Sequence, residues 1–275
     1  MTSLEAVRMV AQELDESGVP SPRVDAEILV AEVMGSTRAA LYSADFQLSE
    51  KHALRLRSLV DRRRAREPLA YILGEWGFRR LTVKVDRRVL VPRPETEVLV
   101  ERCLEHLRDL PEPRVVDVGV GSGAIALAIA DEHPAARILA VDRSADALAA
   151  ARDNLARTPV EGRIELRQGD LLAGISGPFD LVVSNPPYVS PEDFDTLEPE
   201  VRLFEPREAI VGVGVGAEIA RAARGVLAPD GWLLLECGDG QAADLAAELE
   251  RLGYRDVVRT HDLADRERVV EGRWA

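Results

Sequence analysis

Cysteine is nearly absent. Cys103 and Cys237 are the only two in 275 residues, too few for a disulfide framework or a cysteine-built zinc site, and the apolar residues around both point to buried free thiols. The four histidines form no cluster, so no metal site is expected. Nowhere does the chain approach the roughly 18 consecutive uncharged apolar residues of a membrane span. Its start, Met1-Thr2-Ser3-Leu4-Glu5, has an acid where a secretory leader is basic and then apolar; a cytoplasmic protein with no membrane partner is expected. Aromatic residues are few, five Phe, three Trp and four Tyr. Positive surplus is missing as well. The net charge is −13, and residues 1–80 carry 12 basic and 12 acidic side chains, so the whole excess falls in 81–275, with 23 against 36. A domain this acidic repels a phosphate backbone and offers few rings for stacking bases, so no stable DNA binding is expected.

What is present is the material of an ordinary globular protein, 46% apolar and 30% charged, long enough for two domains. The first 70 or so residues read as helices. Leu4, Val7, Val10, Ala11 and Leu14 recur at helical spacing until Gly18; Ser21-Pro22 opens a second helix that runs to Gly35; Ser49 is the N-cap of a third, carrying Leu54, Leu56, Leu59 and Val60. A small helical bundle follows. Within it, Arg55, Arg57, Arg62, Arg63, Arg64 and Arg66 crowd residues 54–66 with only Asp61 among them. Such a run is either a solvated helix face or a docking surface for an acidic or RNA-bearing partner.

From Tyr71 the pattern changes. Leu81-Thr82-Val83-Lys84-Val85 alternates as a strand and Val89-Leu90-Val91 follows a break at Asp86-Arg87-Arg88, which predicts a linking β-hairpin. Pro92-Arg93-Pro94-Glu95-Thr96-Glu97 then leads into a helix; helix-start chemistry accounts for Pro94, Glu95 and Glu97 and leaves Arg93 without a reason. Beyond residue 114, strands and helices alternate, with strands at 115–118, 138–142, 164–167, 179–184, 231–236, 257–258 and 268–273, and helices over 218–227 and 242–252. This order predicts an α/β fold with one doubly wound, mostly parallel sheet.

Two loops at strand ends carry the chemistry. Val115-Val116-Asp117-Val118-Gly119-Val120-Gly121-Ser122-Gly123-Ala124 is a strand, a glycine loop and a helix start. It lets the backbone approach a ligand and aims free N–H groups and a positive dipole end at it. Asp142 closes the next strand, placed to accept from ribose hydroxyls, so an adenosine-containing ligand is expected. Gly119, Gly121 and Ala124 also satisfy a dinucleotide fingerprint. Asp170, ending a third strand at Gln168-Gly169-Asp170-Leu171, either accepts from an adenine amino group or is a turn residue.

The second loop is Asn185-Pro186-Pro187-Tyr188, at the carboxyl end of the buried run Phe179-Asp180-Leu181-Val182-Val183-Ser184. Two prolines stiffen the backbone and remove its N–H groups, so the Asn185 side-chain oxygen and the Pro186 carbonyl are free to accept the two hydrogens of a planar –NH2, while Tyr188 adds a flat wall with a polar tip. Amide nitrogen is a weak nucleophile. Positioning against a strong electrophile must then supply much of the rate.

The glycine loop paired with Asn185-Pro186-Pro187-Tyr188 resembles the class I S-adenosylmethionine-dependent methyltransferases that modify planar nitrogens, whose fold is Rossmann-like. The leader Leu90 to Glu97, the helical N-terminal region and the ending Asp262-Leu263-Ala264 through Arg273 resemble the HemK-like release factor glutamine methyltransferases over nearly the whole chain. The tetrapeptide alone is shared with adenine N6 methyltransferases acting on nucleic acid. The resemblance implies methyl transfer from S-adenosylmethionine, leaving S-adenosylhomocysteine, to the side-chain amide nitrogen (N5) of the glutamine in the Gly-Gly-Gln motif of class I peptide chain release factors, by direct in-line displacement. It implies that Gly119, Val120, Gly121, Ser122, Gly123, Asp142, Asp170, Leu171 and Asn185 surround the cofactor. Asn185, Pro186 and Tyr188 would be catalytic, and these three with Pro187 would hold the glutamine. A docking domain over 1–73, a hairpin linker over 74–91 and a methyltransferase domain over 92–275 are expected. Three stretches depart from the family pattern: Val120 replaces a common Thr, residues 209–216 replace Gly-Gly-x-Asp-Gly, and an arginine stands within Gly74–Arg80 where a glycine is common.

Overall fold

Single polar residues write the helix starts of the N-terminal region. In the computed structural model, which describes residues 1–43, 46–160 and 162–275, α1 (Ser3–Glu16) opens on a reciprocal cap. The Thr2 amide donates to Glu5 Oε2 at 2.8 Å and the Glu5 amide to Thr2 Oγ1 at 3.2 Å. Pro22 sits in the first turn of α2 (Pro22–Met34), and Gly35 ends it in the left-handed conformation at φ 59°. After the short α3 (Ala40–Ser43), Ser49 caps α4 (Glu50–Arg64) by accepting from the His52 amide at 3.2 Å; α5 (Leu69–Leu73) follows.

These helices form a first unit, Met1–Gly74 together with Glu198–Phe204. The added segment comes from within the stretch expected to be a continuous C-terminal domain. Val7, Val10, Leu14, Leu29, Val30, Leu56 and Val60 are buried where α1, α2 and α4 meet, while Leu54 stays largely exposed.

The arginine run is consumed within this unit. Arg57 pairs with Glu13 at 3.0 Å, Arg62 with Glu67 at 2.8 Å and Arg66 with Glu200 at 2.6 Å, and Arg55 and Arg64 also lie against carboxylates. Arg63 is 5% exposed, with Nε 2.7 Å from Asp25 and Nη1 2.8 Å from Glu200.

The second unit, Glu75–Leu197 with Glu205–Ala275, opens with an antiparallel hairpin, β1 (Glu75–Phe78) and β2 (Leu81–Lys84). The expected hairpin within 74–91 is present, but built from a different pair of strands. Leu81–Lys84 is a strand, but its partner lies upstream, and Val89–Val91 is irregular. Arg79 forms the turn at φ 50°, a conformation uncommon outside glycine. It is held there because its amide donates to Glu97 Oε1 at 3.0 Å and its guanidinium grips Glu132 and the Glu97 carbonyl.

The chain then runs through α6 (Thr96–Leu107), β3 (Arg114–Val118), α7 (Ala124–Glu132), β4 (Arg137–Asp142), α8 (Ala145–Leu155), β5 (Ile164–Gln168) and β6 (Phe179–Ser184). After the short α9 (Pro191–Phe194) and α10 (Pro199–Phe204, counted above with the helical unit) come α11 (Val215–Ala223), β7 (Leu227–Glu236), α12 (Ala242–Leu252), β8 (Arg255–His261) and β9 (Glu267–Arg273). The helix expected over 218–227 begins and ends earlier. Leu227 already pairs with Phe179, and the Phe179 amide donates to Val226 O at 2.8 Å, which draws those residues into the sheet.

Seven strands lie in the order β5-β4-β3-β6-β7-β9-β8, parallel except for β9, which is antiparallel to both β7 and β8. Both faces are covered, which is why the central strands are nearly continuous apolar runs. Val116, Val118, Val141, Val182, Leu233 and Leu235 pack in one core with Ile219, Ala220 and Leu249 of α11 and α12; the alternate residues Val115, Leu181, Val183 and Leu234 are buried on the other face. The chain leaves β3 outward through β4 and β5 and returns on the opposite side as β6. That reversal opens a crevice beyond the carboxyl ends of β3 and β6. Among the described residues, no helix is long and apolar enough to cross a membrane.

Removing Arg63 strands Asp25 in the interior. Arg63→Ala should cost the full chain about 3 kcal/mol in urea unfolding, whereas Arg57→Ala, at an exposed pair, should cost less than about 1 kcal/mol.

Candidate active site

The first wall of the crevice is the loop after β3. Gly119 and Gly121 have φ of 78° and 54°, which side-chain-bearing residues adopt only at a cost. The Gly119 and Val120 amides both donate to Val141 O, at 2.8 and 3.0 Å, tying the loop to the end of β4. Asp142, the last residue of β4, secures it further, since Oδ2 accepts from the Gly121 amide at 3.0 Å and Oδ1 from the Ser144 amide at 2.9 Å. Each oxygen keeps a free lone pair. Gly119, Val120, Gly121, Ser122, Asp142, Asp170 and Leu171 line a cleft of about 340 Å³. Gly123 instead serves as the left-handed cap of α7, against Leu127 and Ala151. Asp170 is an exposed residue of the rim, and Leu171 turns the chain at φ 50°.

The tetrapeptide after β6 supplies the opposite wall. Ser184 Oγ donates to Val118 O at 2.6 Å, locking the end of β6 to the end of β3. Asn185 and Pro187 line the cleft. Pro186 is buried and Tyr188 half-buried, with its phenol pushed up to about 12 by burial and then by the charge of Glu236. The far side is clamped as well: Val189 bridges Val211, its amide donating to Ile210 O and its carbonyl accepting from the Gly212 amide, both at 3.0 Å. Gln241 Nε2 donates to Tyr188 O at 2.9 Å. Gly212 is required here, because a Cβ would lie 2.8 Å from Pro187 Cγ and 2.9 Å from Val215 Cγ2.

Behind Asn185 stands a pair that the sequence reading did not single out as functional. Asn185 Nδ2 donates to Thr96 Oγ1 at 3.2 Å, and that hydroxyl donates to Glu236 Oε2 at 2.7 Å. Glu236 is 1% exposed. Burial pushes its carboxyl up to about 7, with the charge of Glu95 adding to the rise, against the pull of the Thr96 hydrogen bond, of Arg268 and, least, of a direct hydrogen bond from the Asn185 side chain. One signal for it was legible, an acid closing an otherwise apolar buried strand at the same sheet edge. The leader's other polar residues find distant partners too. Arg93 pairs with buried Glu205 at 2.6 Å and Glu95 with Arg266 at 2.9 Å, so Arg93 braces the segment from which Pro206, Glu208 and Ala209 reach the cleft.

Beneath the glycine loop, Asp117 is fully buried and also pushed up to about 7, by burial foremost, opposed by a 3.2 Å hydrogen bond from the Ala126 amide and reinforced by the charge of Asp142.

This arrangement can be set beside known proteins. Residues 5–74 match the PrmC N-terminal domain and residues 95–201 the methyltransferase small domain. Over 269 residues the chain is 44% identical to the release factor glutamine methyltransferase of Deinococcus radiodurans, covering 95% of each. Over 278 residues it is 38% identical to that of Caulobacter vibrioides, covering 99% of this chain and 96% of the other. The chain belongs to the release factor glutamine methyltransferase family. A structure of the hMettl16 catalytic domain in complex with MAT2A 3'UTR hairpin 6 shares the fold, with a TM-score of 0.54 at 17% identity, over 70% of this chain and 74% of the other.

Two departures of this glutamine methyltransferase family member now have a place. Val120 is buried in the glycine loop, and Ala209, Val211 and Val215 put aliphatic groups on the cleft wall.

Two outcomes are expected. Gly212→Ala should displace Pro187, lower the melting temperature and cost on the order of 1–3 kcal/mol, as overpacking does. Asp117 holds a proton in the fold that the unfolded chain releases above its ordinary 3.8, so its contribution to stability falls as pH rises through about 7. Urea unfolding of Asp117→Asn should therefore gain on the parent by about 2 kcal/mol between pH 5.5 and 8.

Proposed function

We propose that this protein transfers a methyl group from S-adenosylmethionine to the N5 amide nitrogen of the glutamine in the Gly-Gly-Gln motif of class I peptide chain release factors. The reading is carried by one observation: Asn185 and Pro187 of the rigid tetrapeptide share a cleft with the glycine loop and the Asp142 carboxylate. Membership of the release factor glutamine methyltransferase family supports it.

The residues present fit the cofactor. A cleft of about 340 Å³ is within the usual range for a small-molecule site, the positive-φ glycines expose backbone beside the start of α7, and Asp142 keeps free lone pairs for ribose hydroxyls. In this reading Gly119, Val120, Gly121, Ser122, Asp142, Asp170, Leu171 and Asn185 hold the cofactor, with Gly123 shaping the turn. When bound, S-adenosylmethionine supplies a methyl group on a positively charged sulfur whose leaving group is a neutral thioether, so no covalent enzyme intermediate is needed.

The chain's own work is alignment. Asn185 Oδ1 and the Pro186 carbonyl each accept one hydrogen of the glutamine –NH2, fixing the plane of the amide, while Pro187 and Tyr188 wall its aliphatic stem. The N-alkylated amide is a strong acid in its protonated form, so its proton passes to water or to one of the two acceptors without a histidine base. The N-terminal helical unit serves as the docking module in this reading. Its arginines are largely neutralised by Glu13, Glu32, Glu67 and Glu200, so docking draws on surface other than an unpaired basic face. The cytoplasm, where release factors act, is the compartment this function requires.

Purified protein incubated with radiolabelled S-adenosylmethionine should label a class I release factor and leave DNA and tRNA unlabelled. Asn185→Ala, with its melting temperature checked, should lower turnover about 100-fold while cofactor affinity falls only a few-fold. Turnover at the parent rate in that folded variant removes the acceptor role from Asn185.

A further inference from the structure

An asparagine amide is nearly symmetric in shape and opposite in hydrogen-bonding sense at its two ends. Nothing in the tetrapeptide itself decides which end looks into the cleft. If Nδ2 faced the substrate, two –NH2 groups would meet donor to donor. The acceptor role proposed above therefore depends on something that fixes the flip.

The structure holds such a device. Glu236, at the carboxyl end of β7, is 1% exposed, and Thr96, at the start of α6, is 4% exposed. They meet 140 residues apart in sequence, at 2.7 Å. The Thr96 hydroxyl donates its single proton to Glu236 Oε2, so toward Asn185 the Thr96 oxygen has only lone pairs to offer. The group that fits against it is a donor, and Asn185 Nδ2 lies there at 3.2 Å. The polarity runs one way through all three side chains. Oδ1 is left as the free end, on a residue that lines the cleft.

We infer that Glu236, acting through Thr96, is a positioning residue that locks the Asn185 amide with its oxygen toward the substrate nitrogen. The inference rests on the methyl-transfer reading and deepens it. Glu236 touches neither substrate nor reacting atoms; it sets the direction of a hydrogen-bond chain whose last member does. A glutamine at this position, of nearly the same shape, could donate to Thr96, which frees the hydroxyl proton to point at Asn185 Oδ1 and stabilises the reversed amide.

The test compares Glu236→Gln, Thr96→Val and Thr96→Ser with the parent, using a class I release factor as acceptor and melting temperature as the check on folding. Glu236→Gln and Thr96→Val should lose at least tenfold in kcat, with KM for the release factor and Kd for S-adenosylmethionine held within threefold. Thr96→Ser, which keeps the hydroxyl, should stay within threefold of the parent kcat. A merely structural contribution would lower stability without this split or this rescue. In parallel, the Asn185 side-chain NH2 of the 15N-labelled parent should exchange slowly with solvent, and that protection should be lost in Glu236→Gln. If the parent methylates the release factor and folded Glu236→Gln does so at the parent kcat, the inference falls and the methyl-transfer reading stands. If the parent labels no release factor, that reading falls and the exchange measurement decides alone: protection lost in Glu236→Gln supports the lock, and rapid exchange in the parent overturns it.

Discussion

The parallel pairing of β3 with β6 is the constraint on which the rest of the site depends. Val115, Val116 and Asp117 lie beside Leu181, Val182 and Val183, and the Ser184 hydroxyl bonds to Val118 O just beyond the ladder. This register sets the ends of the two strands level, so that the glycine loop and the tetrapeptide face each other across one crevice. A parallel ladder places both carboxyl ends on the same edge, and the reversal of strand order beside β3 sends the two following connections to opposite sides. A slip of one residue would turn Ser184 and Asn185 to the wrong faces. The apolar packing of both sheet faces therefore underwrites the chemistry as well as the fold.

Much of this was legible because it is local in sequence. The glycine loop, Asp142 at the end of β4 and the tetrapeptide at the end of β6 are each a strand followed by its own loop, and strand ends can be placed from apolar runs and turn residues. The helix starts at Pro22 and Ser49 sit where a proline or a cap says they should, whereas the Thr2 cap emerges only in the fold. The misreadings share one cause. Val89–Val91 is as apolar as a strand, but its candidate partner Leu81–Lys84 is taken by Glu75–Phe78; Leu227 has helical neighbours, but Phe179 recruits it to the sheet. In both places pairing with another strand overrode what the segment's own residues prefer.

The polar residues of the leader show the same limit from the other side. Read alone, Arg93 has no purpose and Thr96 is one more residue near a helix start. In the fold each finds a buried acid more than 100 residues away, Glu205 for Arg93 and Glu236 for Thr96. No periodicity encodes such a partner. The arginines of α4 were ambiguous for a similar reason, since whether a basic run faces water or carboxylates depends largely on Glu13, Glu32 and Glu200, which lie on other elements.

The segment Glu198–Phe204 has a consequence for how the chain can be divided. It follows the tetrapeptide in sequence, yet its acids Glu198 and Glu200 answer Arg63 and Arg66 of the helical unit. The backbone passes between the two units three times, so no single cut separates them. A chain begun at Glu75 would carry two orphaned carboxylates shortly after the tetrapeptide, and the helices, expressed alone, would miss two acids of their own ion-pair network. The module boundary suggested by linear order is therefore not a boundary at which evolution or an experimenter can freely exchange parts.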